Sequence, residues 1–186
     1  MCWRDNAVLL AKQLSSVQRL SGGRLTAGLG IGGWPADYEA SGVSLTGRGA
    51  RFEADLSALE ASWRASGSRP TVLLAGTVPA AFARAAAPAS EGWVAPLFGL
   101  PLLEAGAAAV RKTWAAADRD GQPRIATGRY FSLGAAADKV ADEYVHRGQI
   151  AAELDRLENA GCDDVVLFPC SGGREQVNLL ADALNR

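Results

Sequence analysis

Residues 71–79, with the sequence TVLLAGTVP, contain the signal that decides the fold. Thr71 to Ala75 form a continuous apolar run bounded by turn residues, which is typical of a strand that is buried on both faces. Gly76 ends the run. Pro79 stands where a helix usually begins, because its missing N–H costs nothing in the first turn. The stretch therefore predicts a buried strand that passes directly into a helix.

The same alternation of apolar strands and periodic helices continues on both sides of that stretch. Further strands are predicted at residues 25–30, 92–96, 124–133 and 164–169. Helices are predicted at residues 7–20, 35–40, 48–65, 79–87, 101–118, 135–146, 149–160 and 173–184. Short apolar strands separated by helices indicate an α/β fold with a parallel sheet covered by helices. We expect a single domain over residues 1–186, made of a first helix and five successive βα units.

The hydrophobic pattern also predicts which side chains form the core. The expected buried residues are Leu73, Leu74, Val166, Leu167 and Phe168 on strands, with Phe52, Leu56 and Leu59 packing from the helix at 48–65. Their spacing on that helix places them on one face.

Composition excludes several classes of function. With 48% hydrophobic and 21% charged residues, the chain of 186 residues can form an ordered core. Its net charge of −1 provides no positive field for nucleic acid or anionic lipid. No apolar run approaches the ~18 residues of a membrane span, and the start MCWRDNAVLL is too short and polar for a secretory signal. We expect a soluble, cytoplasmic protein without nucleic-acid or membrane partners.

Cysteine and histidine usage argues against a metal site. The cysteines are Cys2, Cys162 and Cys170, an odd number without metal-site spacing. A disulfide scaffold is not expected in a chain of this size. His146 is the only histidine, and we expect it to face solvent late in the helix at 135–146. This excludes histidine clusters and any Ser-His-Asp triad built on another histidine. We predict no metal site, and the sequence identifies no catalytic residue.

Glycine-rich segments follow the predicted strands where ligands usually bind in parallel α/β folds, at the carboxyl ends. Gly28, Gly30 and Gly33 match the dinucleotide pattern GxGxxG, and such glycines allow close backbone approach. The match is weak because no long helix opens directly after it. Asp55, the candidate ribose-binding acid, falls inside a helix.

Two other strand ends have the chemistry of an anion site. At Gly76-Thr77 a strand enters a helix N-terminus, where N–H groups, a hydroxyl and the helix dipole meet. The alternative is that Thr77 caps its helix. Ser171 and Gly172 follow the last strand, and late loops of (β/α) barrels often bind phosphate. The neighbouring Cys170 is expected to be a small buried or half-buried thiol without a basic partner.

Five segments, taken in order, resemble one protein family. They are LAKQLSSVQRLSGGRLTAGLGIG (10–32), RGARFEADLSALEASW (48–63), VLLAGTVPAAFARAA (72–86), EGWVAPL (91–97) and AGCDDVVLFPCSGGREQVNLLADAL (160–184). Their ordered set is similar to the luciferase-like flavin-dependent monooxygenases, a family that also includes F420-dependent reductases and dehydrogenases. The similarity covers nearly the whole chain.

The resemblance implies a TIM (β/α) barrel that binds reduced flavin, FMN, or the deazaflavin F420 at the carboxyl ends of its strands. By this similarity Gly30, Ile31 and Gly32 match positions that line the flavin, and Gly76 and Thr77 match the turn that holds its phosphate. It implies oxidation or monooxygenation of an unknown small organic substrate. Members are commonly dimers.

The resemblance also implies an incomplete barrel. Residue 7 corresponds to the third helix of the family's barrel, so we expect about five of eight βα units, with the first three strands absent. A whole barrel needs roughly 250 residues. Five strands leave two open edges, which favours self-association. Three functions remain open: a flavin-dependent oxidoreductase, an F420-dependent reductase or dehydrogenase, and a non-catalytic barrel remnant or partner subunit.

Overall fold

The structure is a computed structural model that describes residues 6–97, 99–135, 145–146 and 150–185. Its helices are α1 Ala7–Leu20, α2 Pro35–Ala40, α3 Arg48–Ser66, α4 Pro79–Ala85, α5 Leu100–Ala116, α6 Ile150–Asn159 and α7 Arg174–Leu184. Its strands are β1 Thr26–Leu29, β2 Thr71–Ala75, β3 Gly92–Val94, β4 Arg124–Phe131, β5 Val145–His146 and β6 Asp164–Pro169. In these ranges no helix has the length and hydrophobicity that a membrane crossing requires.

The strands form one parallel sheet. β1, β2, β3 and β4 are neighbours in this order, and β6 pairs with the opposite side of β4. These five strands make a half-barrel with helices packed outside it. The predicted partial TIM barrel is therefore confirmed.

The short strand β5 corrects one sequence prediction. Val145 and His146 pair with Tyr130 and Phe131 near the end of β4, whereas the sequence predicted a helix over 135–146. β3 ends at Val94 and leaves this part of β4 open on one side. A parallel neighbour there satisfies backbone groups that would otherwise lack partners. Residues 136–144 of the predicted helix lie outside the described residues, as does the side chain of His146.

Helix α3 packs against α1 through the face that its periodicity predicts. Phe52, Leu56, Leu59 and Trp63 are all buried. The Trp63 indole Nε1 donates to the Ala11 carbonyl oxygen at 3.2 Å. This bond gives the buried indole N–H a partner and ties the two helices together.

The core prediction is correct for the middle of the sheet and wrong at its edge. Leu73 and Leu74 are buried on β2, and Leu167 is half-buried. In contrast, Val166 is 54% exposed and Phe168 is 42% exposed. Both lie on β6, which pairs only with β4 among the described strands. Their side chains line the concave side of the half-barrel, where an edge strand has no second neighbour to cover them.

Candidate functional site: the well and its carboxyl rim

The concave side of the half-barrel encloses a cavity of about 490 Å³, here called the well. Alternate residues of the strands point into it because side chains of a strand alternate between the two faces. Its wall is apolar and is formed by Leu73, Ala75, Val94, Ala126, Val166 and Phe168. The volume falls in the range of small-molecule pockets, roughly 300–1,000 Å³.

A polar cluster closes the well at the amino ends of the strands. Arg124 of β4 binds Asp164 of β6 through both Nε and Nη2, and Nη2 lies 2.7 Å from Oδ1. Its Nη1 donates to the Thr26 hydroxyl of β1 at 3.3 Å. The bonds to Asp164 raise the pKa of Arg124, so the guanidinium stays charged. β1 and β6 lie at the two edges of the five-stranded half-barrel, so one side chain links both of these edges.

The turn after β1 is held by a buried tyrosine. The Tyr38 hydroxyl donates to the Ile31 carbonyl oxygen at 2.5 Å, and Tyr38 itself is 1% exposed. Gly30 lies beside Ala75 of β2, so close that a Cβ at position 30 would stand 3.3 Å from the Ala75 Cβ. Gly32 is exposed and has a φ of 81°, a conformation that favours glycine.

The turn after β2 also depends on glycine. Gly76 has a φ of 142°, and a Cβ there would lie 2.5 Å from the Ala81 Cβ. Its carbonyl oxygen accepts a hydrogen bond from the Trp93 indole at 2.8 Å. Thr77 is exposed, and the residue that caps α4 is Val78, without a side-chain bond. The alternative that Thr77 caps the helix is therefore wrong.

The third predicted segment lies farther along the rim. Ser171 is half-buried and Gly172 is exposed between β6 and α7, and a Cβ on Gly172 would meet open space. Cys170 is exposed, which corrects the expectation of a buried or half-buried thiol. β1 and β2 are neighbours, so the structure brings the segments 30–32 and 76–77 together. Ser171 and Gly172 are separated from them by β3 and β4.

Sequence analysis missed the floor of the well and the indole that holds the Gly76 turn. Arg124, Ala126 and Gly128 occupy every second position of β4 and therefore share one face. The strand pattern could thus have predicted that Arg124 points into the well. Its partner Asp164 lies 40 residues away on another strand, and no local signal pairs the two. Within the described parts of the chain, no three His, Cys, Asp or Glu residues form a group that could hold a metal ion.

Residues 1–163 match the family model of the luciferase-like monooxygenases. A search of curated proteins found no match to the sequence.

Solved structures with the same fold cover most of the chain. An F420-dependent secondary alcohol dehydrogenase, in complex with an F420-acetone adduct, superposes with a TM-score of 0.76 at 12% identity, over 97% of this chain and 74% of that one. The monooxygenase RslO1 from Streptomyces bottropensis gives 0.71 at 15% identity, over 99% and 74%. The oxygenating constituent of a type II Baeyer-Villiger monooxygenase from Pseudomonas putida, in complex with FMN, gives 0.61 at 15% identity, over 87% and 58%. At these identities the similarity shows the shared fold.

Proposed function

This chain belongs to the luciferase-like monooxygenase family, and on that premise we propose that it is a flavin-dependent oxidoreductase acting on a small organic substrate. The observation that carries the proposal is the apolar well, which opens beside two neighbouring glycine turns at the carboxyl ends of β1 and β2. Ligands of parallel α/β folds bind at this end of the strands. The substrate itself is unknown.

The residues present fit a flavin or deazaflavin. The segments 30–32 and 76–77 expose backbone on adjacent strands, and Gly76 leaves no side chain in the way. We assign Gly30, Ile31 and Gly32 to the ring system. Gly76 and Thr77 would hold the phosphate, through the Thr77 hydroxyl and the backbone N–H groups of the turn that precedes α4. Ser171 and Gly172 form an alternative phosphate position.

When bound, the cofactor would supply hydride or electron transfer. The chain would bind it, orient it and exclude water. The apolar wall of Leu73, Val94 and Ala126 supports the last role, because few polar groups are available there to hold water.

Two alternatives have their own support. F420 in place of FMN is favoured by the similarity to the dehydrogenase whose structure contains an F420-acetone adduct. A non-catalytic role, as a remnant or partner subunit, is favoured by the open side of the well, where Val166 and Phe168 are exposed. The first alternative keeps the redox activity and the second removes it.

A binding experiment separates these functions. FMN titrations followed by fluorescence, and F420 titrations followed by absorbance, should show binding of one cofactor by the wild-type chain. Thr77→Ala should weaken it about tenfold or more, since one charge-assisted hydrogen bond is worth about 1.5–3 kcal/mol. Gly76→Val should weaken it further by blocking backbone approach. Thr113→Ala, on the outer helix α5, is the matched control and should bind like wild type.

The possible failures have different meanings. If the cofactor binds tightly and neither Thr77→Ala nor Gly76→Val weakens it, the phosphate would be assigned to Ser171 and Gly172 instead. If the wild-type chain binds neither cofactor, both redox proposals are contradicted and the non-catalytic role is favoured.

A further inference from the structure

We propose that the well is itself a binding site for an uncharged, largely apolar molecule that carries a single oxygen, such as an aromatic ketone, with that oxygen placed at the floor against Arg124 and Thr26. This site needs no bound cofactor. It therefore extends beyond the redox activity proposed for the carboxyl rim.

The dimensions of the well define the size of the molecule. Along β4 its wall runs from Arg124 through Ala126 to Gly128. Four residue steps in a parallel strand span about 13 Å. An engineered apolar cavity of about 150 Å³ accommodates benzene, and the well measures about 490 Å³. A ligand with two fused rings therefore fits lengthwise.

Gly128, at the end of this wall away from Arg124, leaves room for the side chains around it. Val166 and Phe168 face the same space from β6. A Cβ at position 128 would stand 2.8 Å from Cε2 of the Phe168 ring. Any side chain there would compete with Phe168 for this volume.

The floor selects an oxygen because it keeps unused donors. A guanidinium has five N–H groups. The bonds to Asp164 and Thr26 occupy three of those on Arg124, which leaves two without a partner among the described residues. The Arg124 side chain is 42% exposed and lines the well. The Thr26 hydroxyl accepts from Arg124 and can still donate its own proton.

The same floor discriminates by charge. Arg124 and Asp164 are the charged residues among the described side chains that line the well, and they neutralise one another. A carboxylate ligand would meet Asp164, and an ammonium ligand would meet Arg124. A neutral carbonyl oxygen accepts a hydrogen bond without either repulsion. The well therefore favours ketones over acids and amines of the same shape.

Three naphthalene probes of similar size test this inference by calorimetric titration of the cofactor-free chain. Acetonaphthone carries a neutral oxygen, ethylnaphthalene has none, and naphthoate is charged. Acetonaphthone should bind about tenfold or more tightly than ethylnaphthalene, as expected for one hydrogen bond from a charged donor, and naphthoate should bind more weakly than acetonaphthone. Equal affinity for the ketone and the hydrocarbon overturns the role of the floor, and absent ketone binding overturns the site.

A substitution that increases the affinity for a ligand cannot be explained by misfolding, so it complements the probe titrations. Asp164→Asn keeps a hydrogen-bond acceptor for Arg124 but removes the negative charge. Naphthoate should then bind about tenfold more tightly than to wild type, because the guanidinium is no longer neutralised. An unchanged affinity for naphthoate contradicts the charge argument.

A large side chain placed inside the well should remove binding. Val166→Trp starts from a side chain that is 54% exposed, so the core is undisturbed, and it should abolish binding of acetonaphthone. Val177→Trp, from a side chain that is 59% exposed on α7, is the matched control and should retain binding. Retained binding in Val166→Trp would overturn the location. A failure of FMN or F420 to bind leaves all these results unaffected, so the two proposals can fail separately.

Discussion

Arg129 of β4 and Glu153 of α6 form a buried ion pair between the sheet and its outer helix. The Arg129 Nε lies 3.3 Å from the Glu153 Oε1, and the residues are 6% and 9% exposed. Arg129 also donates from Nη1 to the Gly128 carbonyl oxygen at 2.7 Å, while its buried Nη2 has no hydrogen-bond partner among the described residues. The pair fixes the position of α6, because either charge left alone there would be costly.

Removal of Glu153 should therefore destabilise the protein strongly. Glu153→Ala leaves the Arg129 guanidinium buried without its carboxylate, and the free energy of unfolding should fall by about 3–5 kcal/mol. Urea denaturation measures this. Arg156→Ala is the control, because Arg156 is exposed and lies 3.6 Å from the same carboxylate. It should cost no more than about 1 kcal/mol. Similar losses in both variants would contradict a special role for the buried pair.

Two apolar residues that look alike in the sequence should differ in their contribution to stability. Leu74 is 1% exposed, and Leu74→Ala should cost about 2–5 kcal/mol. Phe168 is 42% exposed with its ring 5.6 Å from that of Tyr130, and Phe168→Ala should cost clearly less than the ~3–5 kcal/mol of a buried phenylalanine. Parallel urea titrations compare them. A larger loss at Phe168 than at Leu74 would mean that another surface covers β6.

A glycine-to-alanine substitution should have opposite effects in two helices. A Cβ on Gly106 of α5 would lie 2.8 Å from Cζ2 of the Trp93 ring, so Gly106→Ala should destabilise by about 1–3 kcal/mol. A Cβ on Gly49 of α3 would meet nothing within 4 Å. Gly49→Ala should therefore stabilise by about 0.5–1 kcal/mol through helix propensity. Thermal unfolding of both variants is the measurement, and shifts of the same sign would refute the packing argument.

The sequence predicts the interior of this fold better than its edges, for a physical reason. The run at Leu73 and Leu74 predicts burial on both faces, and neighbouring strands and helices provide it. Val166 and Phe168 belong to a run of the same kind, but β6 lies at an edge and one face remains open. Hydrophobicity shows which residues can be buried. It does not show which residues the topology covers.

The candidate site also has one part that the sequence predicts and one part that it does not. The turns at Gly32 and Gly76 could be predicted from glycines that follow strands, because the positive φ angles of these turns favour glycine. The cluster of Thr26, Arg124 and Asp164 joins three strands that are far apart in the chain. Only the curvature of the sheet brings them together, and no spacing in the sequence encodes that curvature directly.

Self-association through the open edges stays a prediction. In the described part of the sheet, β1 and β6 each pair with a single neighbour, and unpaired strand edges favour contact with another chain. Light scattering coupled to size exclusion should give a mass that rises with concentration. Val166→Lys, which places a charge on the exposed strand β6, should lower it. A constant mass of 19.4 kDa over the micromolar range would contradict the prediction.

The two described cysteines should react at different rates. Burial raises the pKa of the Cys162 thiol, so little thiolate forms there at mildly alkaline pH. Cys170 is exposed at the carboxyl end of β6. Iodoacetamide should modify Cys170 first in the native protein, and both should react together in urea. Peptide mass mapping follows each site, and equal native rates would show that Cys162 is accessible.

Trp93 couples the evolution of the outer helix α5 to that of the rim, because its side chain contacts both. Its ring occupies the space that the absent Cβ of Gly106 leaves on α5, while its indole N–H holds the Gly76 carbonyl at the rim. A lineage that replaced Gly106 with a larger residue would first have to accept a smaller one at position 93, and would lose the bond to Gly76 with it. In descendants of this chain, residues 76, 93 and 106 should therefore change together or be retained together. Selection that preserves the turn at Gly76 thus also constrains Gly106 of α5, on the other face of the sheet.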